Sequence, residues 1–143
     1  MGRLIGIARV SLKRGPLIPA DQAEVTTKTG IEGDVRGSKT ARQVSVLFRE
    51  GWEAACSELG HELPWIARRA NLYVEGMPVP RAGAKLVIGD LVLEVTQETQ
   101  PCHLMDEAHF GLRAALKPDW RGGVCCRVVE RGTIRIGDRV DAA

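Results

Sequence analysis

Cys102 stands in the stretch QETQPCHLMDEAHFG, residues 97–111, between a proline and a helical periodicity. Leu104, Met105, Ala108, Leu112, Ala115 and Leu116 fall on one stripe of a helix, Asp106 and Glu107 sit in its first turn, and Pro118 follows its end. Pro101 holds Gln100 extended and sets the boundary. The spacing predicts a thiol at or near a helix N-terminus. There, unpaired backbone N–H groups and the helix dipole favour a thiolate, while Asp106 and Glu107 oppose it. A thiolate is the nucleophile of sulfur exchange and a ligand for soft metals. The plainer alternative is a buried cysteine at a strand–helix junction.

The other cysteines make weaker cases. Cys56 falls on the apolar stripe of an earlier helix, with Trp52, Ala55 and Leu59. Cys125 and Cys126 are adjacent, so in a strand one faces the core and the other outward. No CxxC pair is present, and His103 and His109 are spaced six apart, off the i, i+4 geometry of helical zinc ligands. His109 could reach Cys102 only if the helix folded the imidazole back. His61 lies in a loop. A Walker loop, a dinucleotide fingerprint and a nucleophile elbow are all missing.

Short elements must position this thiol. Residues 4–12 read as a first strand with β-branched Ile5, Ile7 and Val10. Residues 22–40 read as a long, polar, glycine-punctuated loop, the kind that often carries function. Residues 42–48, RQVSVLF, alternate as a strand, and the Trp52 helix follows, closed by Gly60. ANLYVEG is a short strand. Residues 84–98, AKLVIGDLVLEVTQE, form a hairpin about Gly89-Asp90, and a second IGD turn lies near the C-terminus. Six to eight short strands, two helices and no βαβ rhythm predict a single domain over 1–143, mainly β with inserted helices, most simply a barrel.

Sixteen glycines among 143 residues suit such a turn-rich chain, and 4 % aromatics make the core aliphatic. A net charge of +2 is no argument for nucleic acid. The charge is nonetheless uneven: residues 1–49 hold nine Lys/Arg against four Asp/Glu, a stretch that could line an anion site. Residues 50–67 hold four Glu and no Lys or Arg, a solvated helix face. No apolar run reaches membrane-span length, and the N-terminus lacks the pattern of a signal peptide. A cytoplasmic location with reduced thiols is expected.

GIEGD (30–34), RQVSVL (42–47), NLYVEG (71–76) and GAKLVIGDLVLEVTQETQPC (83–102) occur in the order and spacing of the MOSC domain, the family named for the C-terminal part of molybdenum cofactor sulfurases. The chain resembles a small stand-alone member over about residues 5–140. The resemblance implies a MOSC-type β-barrel in which Cys102 receives sulfur as a persulfide or ligates molybdenum in a pterin cofactor. It also implies that Gly33 and Asp34 of the polar loop, Arg42, Arg69 and Asn71 bind the cofactor. The family's Gly-Glu-Asn-Leu reads Arg69-Ala70-Asn71-Leu72 here. That departure weakens a reductase-type site and leaves anion binding through Arg68 or Arg69. Asp34 could instead close a turn, Arg42 pair with an acid, and Asn71 cap a loop.

Three functions follow in order. The first is a sulfur carrier or transferase, served by a cysteine desulfurase whose pyridoxal phosphate would belong to that partner, and delivering to a molybdenum enzyme or another metal–sulfur centre. The second is a molybdenum-cofactor protein or reductase with Cys102 on the metal. The third is a non-enzymatic binding module. Neither nucleic acid nor membrane is expected as a partner, and whether the chain is an enzyme stays open.

Overall fold

The computed structural model describes residues 1–38 and 41–143. Seven strands close a ring: β1 (Gly2–Arg9), β5 (Val44–Phe48), β6 (Leu72–Glu75), β7 (Lys85–Ile88), β8 (Leu91–Glu98), β9 (Val124–Glu130) and β11 (Arg139–Ala142). The order round the ring is β11-β7-β8-β9-β5-β6-β1, and β1 pairs back onto β11 through Gly2↔Val140. β2 (Ile18–Pro19) extends β1 outside the ring. The expected barrel is therefore present, and the predicted hairpin is β7–β8, with Ile88 opposite Leu91.

Every ring pairing is antiparallel except β5–β6. A parallel pair requires a long crossover connection. Here the crossover contains α1 (Arg49–Leu59) and a 3-10 turn, Trp65–Arg68. Trp52, Ala55 and Cys56 are the buried face of α1, as the stripe predicts, and Gly60 ends it in the left-handed conformation at φ 71°.

Strand alternation divides the apolar residues between two cores. Val44, Val46 and Phe48 of β5 point into the barrel with Leu91, Leu93 and Val95 of β8. Leu47 points outward, where Trp52, Ala55, Cys56, Met105, Leu112 and Leu116 cover the outer wall. Each fully buried aliphatic side chain contributes about 1.5–3 kcal/mol.

Three expectations are corrected. The stretch 22–40 is not all loop: it holds β3 (Gln22–Thr26) and β4 (Gly30–Ile31), which form a small sheet with β10 (Gly132–Arg135). Ala23 and Val25 turn inward among polar neighbours, and the partner strand lies far along the chain at Ala23↔Ile134. Positions 39 and 40 of that stretch lie outside the described residues. The helix after Cys102 is two pieces, α2 (His103–Ala108) and α3 (Leu112–Ala115), because Gly111 turns left-handed at φ 91° between them. The first strand also runs 2–9 rather than 4–12.

Candidate functional site

Ser45 of β5 and Cys125 of β9 are directly opposed on the outer wall of the barrel. The helices leave this patch uncovered, and a cavity of about 540 Å³ opens above it. Its walls come from the crossover (Arg68, Arg69, Ala70, Asn71), from the segment joining β8 to α2 (Thr99, Gln100, Cys102), from α2 itself (Leu104, Met105) and from loop residues that include Lys13, Arg14, Val35 and Arg36. Six cationic side chains line it, Lys13, Arg14, Arg36, Arg42, Arg68 and Arg69, and no carboxylate does so among the described residues.

Cys102 is half-buried, whereas Cys56, Cys125 and Cys126 are buried, and all four thiols are free. It occupies the N-cap of α2 with extended backbone, φ −120° and ψ −179°, and its carbonyl accepts from the Met105 N–H at 3.0 Å. The acids expected to oppose a thiolate are turned elsewhere. Asp106 Oδ1 accepts from the N–H groups of Gly111 (3.2 Å) and Arg113 (3.0 Å) and so caps α3. Glu107 is exposed and not among the residues lining this cavity. His109 sits against His61, ring centroids 4.4 Å apart, and is also absent from the lining. No group of three or more His, Cys, Asp or Glu is arranged for a metal among the described residues.

Arg68 is 6 % exposed, yet the ion pairs of the described residues do not include it. Its Nε donates to the Gly122 carbonyl at 3.0 Å and its Nη2 to the Thr99 carbonyl at 2.9 Å, while Nη1 faces Met105 Sδ at 3.7 Å. A buried cation held by carbonyls alone is costly unless an anion completes it. Burial pulls the Arg68 pKa below the ordinary arginine value; the thiols of Cys102 and Cys125 act the other way, and nearby Arg42 adds to the lowering.

The other expected residues fall into two groups. Asp34 and Asn71 are buried and bonded to each other, with Asn71 Nδ2 donating to Asp34 Oδ2 at 2.8 Å. Asp34 also accepts from the Val10 N–H and from the backbone N–H, Nε and Nη2 of Arg36. Asn71 Nδ2 donates to the Ala8 carbonyl as well, and its Oδ1 accepts from the Ser45 N–H. Burial raises the Asp34 pKa, but the side chain and backbone N–H of Arg36 and the Val10 N–H outweigh it and leave the carboxyl below its usual range. Asn71 lines the cavity; Asp34 does not, but it holds both Asn71 and the lining Arg36 in place. Gly33 does not line the cavity; it stands at φ 86°, where a Cβ would meet Arg9 Cδ at 3.2 Å. Arg69 lines the cavity while its Nη2 donates to the Gly15 carbonyl at 2.8 Å, and Arg36 Nη1 donates to the Arg69 carbonyl. Arg42 is exposed at the rim, with no ion pair among the described residues.

A family model described as the MOSC domain matches residues 32–141. The chain belongs to the MOSC domain family. Solved structures show the same fold. The YuaD protein of Bacillus subtilis superposes with a TM-score of 0.82 at 18 % identity, covering 99 % of this chain and 96 % of that one. YiiM of Geobacillus stearothermophilus gives 0.79 at 17 % identity over 100 % of this chain and 75 % of its own. YiiM of Escherichia coli gives 0.73 at 18 % identity, with 99 % and 69 % covered. No curated protein matches the sequence. No helix among the described residues of this MOSC domain is long and apolar enough to cross a membrane.

Sequence spacing alone does not bring Cys125, Lys13, Arg14 or Arg36 to Cys102. The available signal is Gly122-Gly123 just before β9. A Cβ on Gly122 would sit 2.7 Å from the Thr99 carbonyl oxygen and 3.1 Å from Arg68 Nη2, so the glycine lets the buried arginine in.

Proposed function

We propose that this MOSC domain carries sulfur on Cys102. The observation that carries the reading is the thiol's setting: the one half-buried cysteine of four opens onto a cavity lined by six cations and no carboxylate among the described residues. Cations near a thiol favour the thiolate, the form that exchanges sulfur. The Cys102 thiolate attacks the terminal sulfur of a donor persulfide. The donor S–S bond breaks, its electron pair stays on the donor thiolate, and Cys102 holds the sulfane sulfur as a persulfide. The donor is a cysteine desulfurase, which supplies its own pyridoxal phosphate, and the acceptor is a molybdenum enzyme or another metal–sulfur centre. Four free thiols suit a reducing compartment, the cytoplasm. Intact mass after incubation with a desulfurase and cysteine tests this: an adduct of about 32 Da, mapped to Cys102 and lost in Cys102→Ser, is expected. Full loading of Cys102→Ser overturns it.

A second reading, a molybdenum-cofactor protein, is favoured by size: about 540 Å³ lies within the range of small-molecule sites and exceeds what one sulfur atom needs. The donor set fits a pterin phosphate and a soft-ligated metal. Cys102 Sγ would hold the metal, and Arg42, Arg68 and Arg69 would hold the phosphate on the frame of Gly33, Asp34 and Asn71. The group would supply two-electron redox chemistry. Metal analysis and pterin fluorescence of protein purified from a cofactor-making host separate the two readings.

A further inference from the structure

Cys125 is a buried nucleophile that sulfur loading on Cys102 does not use. It is 3 % exposed, faces the same cavity as Cys102, and exchanges a hydrogen bond with Thr99 Oγ1 at 3.2 Å. Its neighbour Cys126 points the other way, into the barrel core at 0 % exposure. Arg68 ties the two thiol-bearing segments together: Thr99 precedes Cys102 by three residues, Gly122 precedes Cys125 by three, and one guanidinium donates to both carbonyls. Solvent barely reaches Cys125, and it lines the same cavity as Cys102, where sulfur carried on Cys102 would be held.

We propose that Cys125 is a resolving thiol, which discharges the Cys102 persulfide inside the cavity as sulfide. The inference rests on the reading of Cys102 as the sulfur-bearing cysteine. Cys125 gives up its proton and attacks the inner sulfur of the persulfide, Cys102 Sγ. The bond from Cys102 Sγ to the terminal sulfur breaks, and the terminal sulfur leaves with the bonding pair and takes the proton as hydrogen sulfide. The products are a Cys102–Cys125 disulfide and one sulfide. A dithiol reductant then supplies two electrons and two protons to restore both thiols. Arg68 offsets the negative charge that passes from Cys125 to the departing sulfide.

The test loads wild type and Cys125→Ser with a desulfurase and cysteine, removes the donor, and follows intact mass and released sulfide. In wild type the adduct of about 32 Da should give way to a species about 2 Da lighter than the reduced chain, with about one sulfide released per chain. Peptide mapping should find Cys102 joined to Cys125, a result that needs no variant. Cys125→Ser, and Cys125→Ala as a second variant, should keep the adduct at least about tenfold longer. An adduct equally long-lived in wild type and variants, or a disulfide mapped to another pair, overturns the proposal alone. No adduct on Cys102 in any of the proteins overturns the reading of Cys102 and the proposal with it.

Discussion

Cys125 and Cys126 are adjacent on β9 and inhabit opposite environments. Cys126 lies among Val44, Val95 and Val128 inside the barrel, where burial pushes its thiol well above the ordinary range and the nearby Cys125 adds to the rise. Cys125 lies on the outer wall, with a hydroxyl partner, opposite Ser45 and within the field of Arg68. One peptide bond separates a cysteine that behaves as a small hydrophobe from one that faces a cation-lined cavity. The barrel wall itself insulates packing from chemistry, because strand alternation sends neighbours to different media.

Breaking the inner side should have the largest effect. Leu93→Ala empties a fully buried position and should cost about 2–5 kcal/mol in a denaturant melt, while the native fraction keeps the wild-type alkylation rate at Cys102. Next comes the frame beneath the cavity. Asp34→Ala strands Asn71, the Val10 N–H and Arg36, and should cost about 2–3 kcal/mol, less than a fully buried pair because the Arg36 side chain is 35 % exposed. Its pH dependence has a definite sign. The folded pKa lies below the ordinary aspartate value of 3.8, so the contribution is present above pH 3.8 and is lost as pH falls through the folded value. Wild type should lose melting temperature on acidification through that window more steeply than Asp34→Asn.

A smaller effect tests the cavity side. Arg68→Gln should slow iodoacetamide alkylation of Cys102 roughly tenfold near neutral pH, with Gly122→Ala moving the rate the same way by crowding Nη2. An unchanged rate in both would remove Arg68 from the site's electrostatics. The smallest contrast is the most direct. Cys126→Ser buries a hydroxyl among aliphatic side chains and should cost about 1–3 kcal/mol, whereas Cys125→Ser retains Thr99 as a partner and should cost less than about 0.5 kcal/mol. Equal costs would show that the wall does not separate the two environments.

The inner side of this wall was legible in the sequence, and the outer side only in outline. Val44, Val46 and Phe48 announce β5, and the Gly89-Asp90 turn announces β7–β8, because local alternation suffices. The proline and helix give Cys102 a suggestive position, but only the MOSC resemblance makes it a site, and Arg68 or Arg69 enter where the chain departs from the family's Gly-Glu-Asn-Leu. Cys125 was placed correctly as one of two opposite-facing neighbours, but that its outward face meets Cys102 depends on Thr99, Gly122 and Arg68 converging from three distant segments. β3 and β4 were hidden because β3 finds its partner more than a hundred residues away in β10. Gly111 splits the second helix through a backbone conformation, which a stripe of apolar residues does not register.

The Gly2↔Val140 pairing that closes the ring also sets a timetable. During synthesis β1 can pair with β2 at Ala8 and Arg9 and with β6 by residue 75, but the Gly2–Arg3 end of its other edge stays open until β11 emerges. Local hairpins such as β7–β8 form within their own segment, whereas ring closure joins residues more than a hundred positions apart and waits for the last of the seven ring strands. An exposed start of β1 is thus the hazard of the nascent ring, and its cure arrives only with β11.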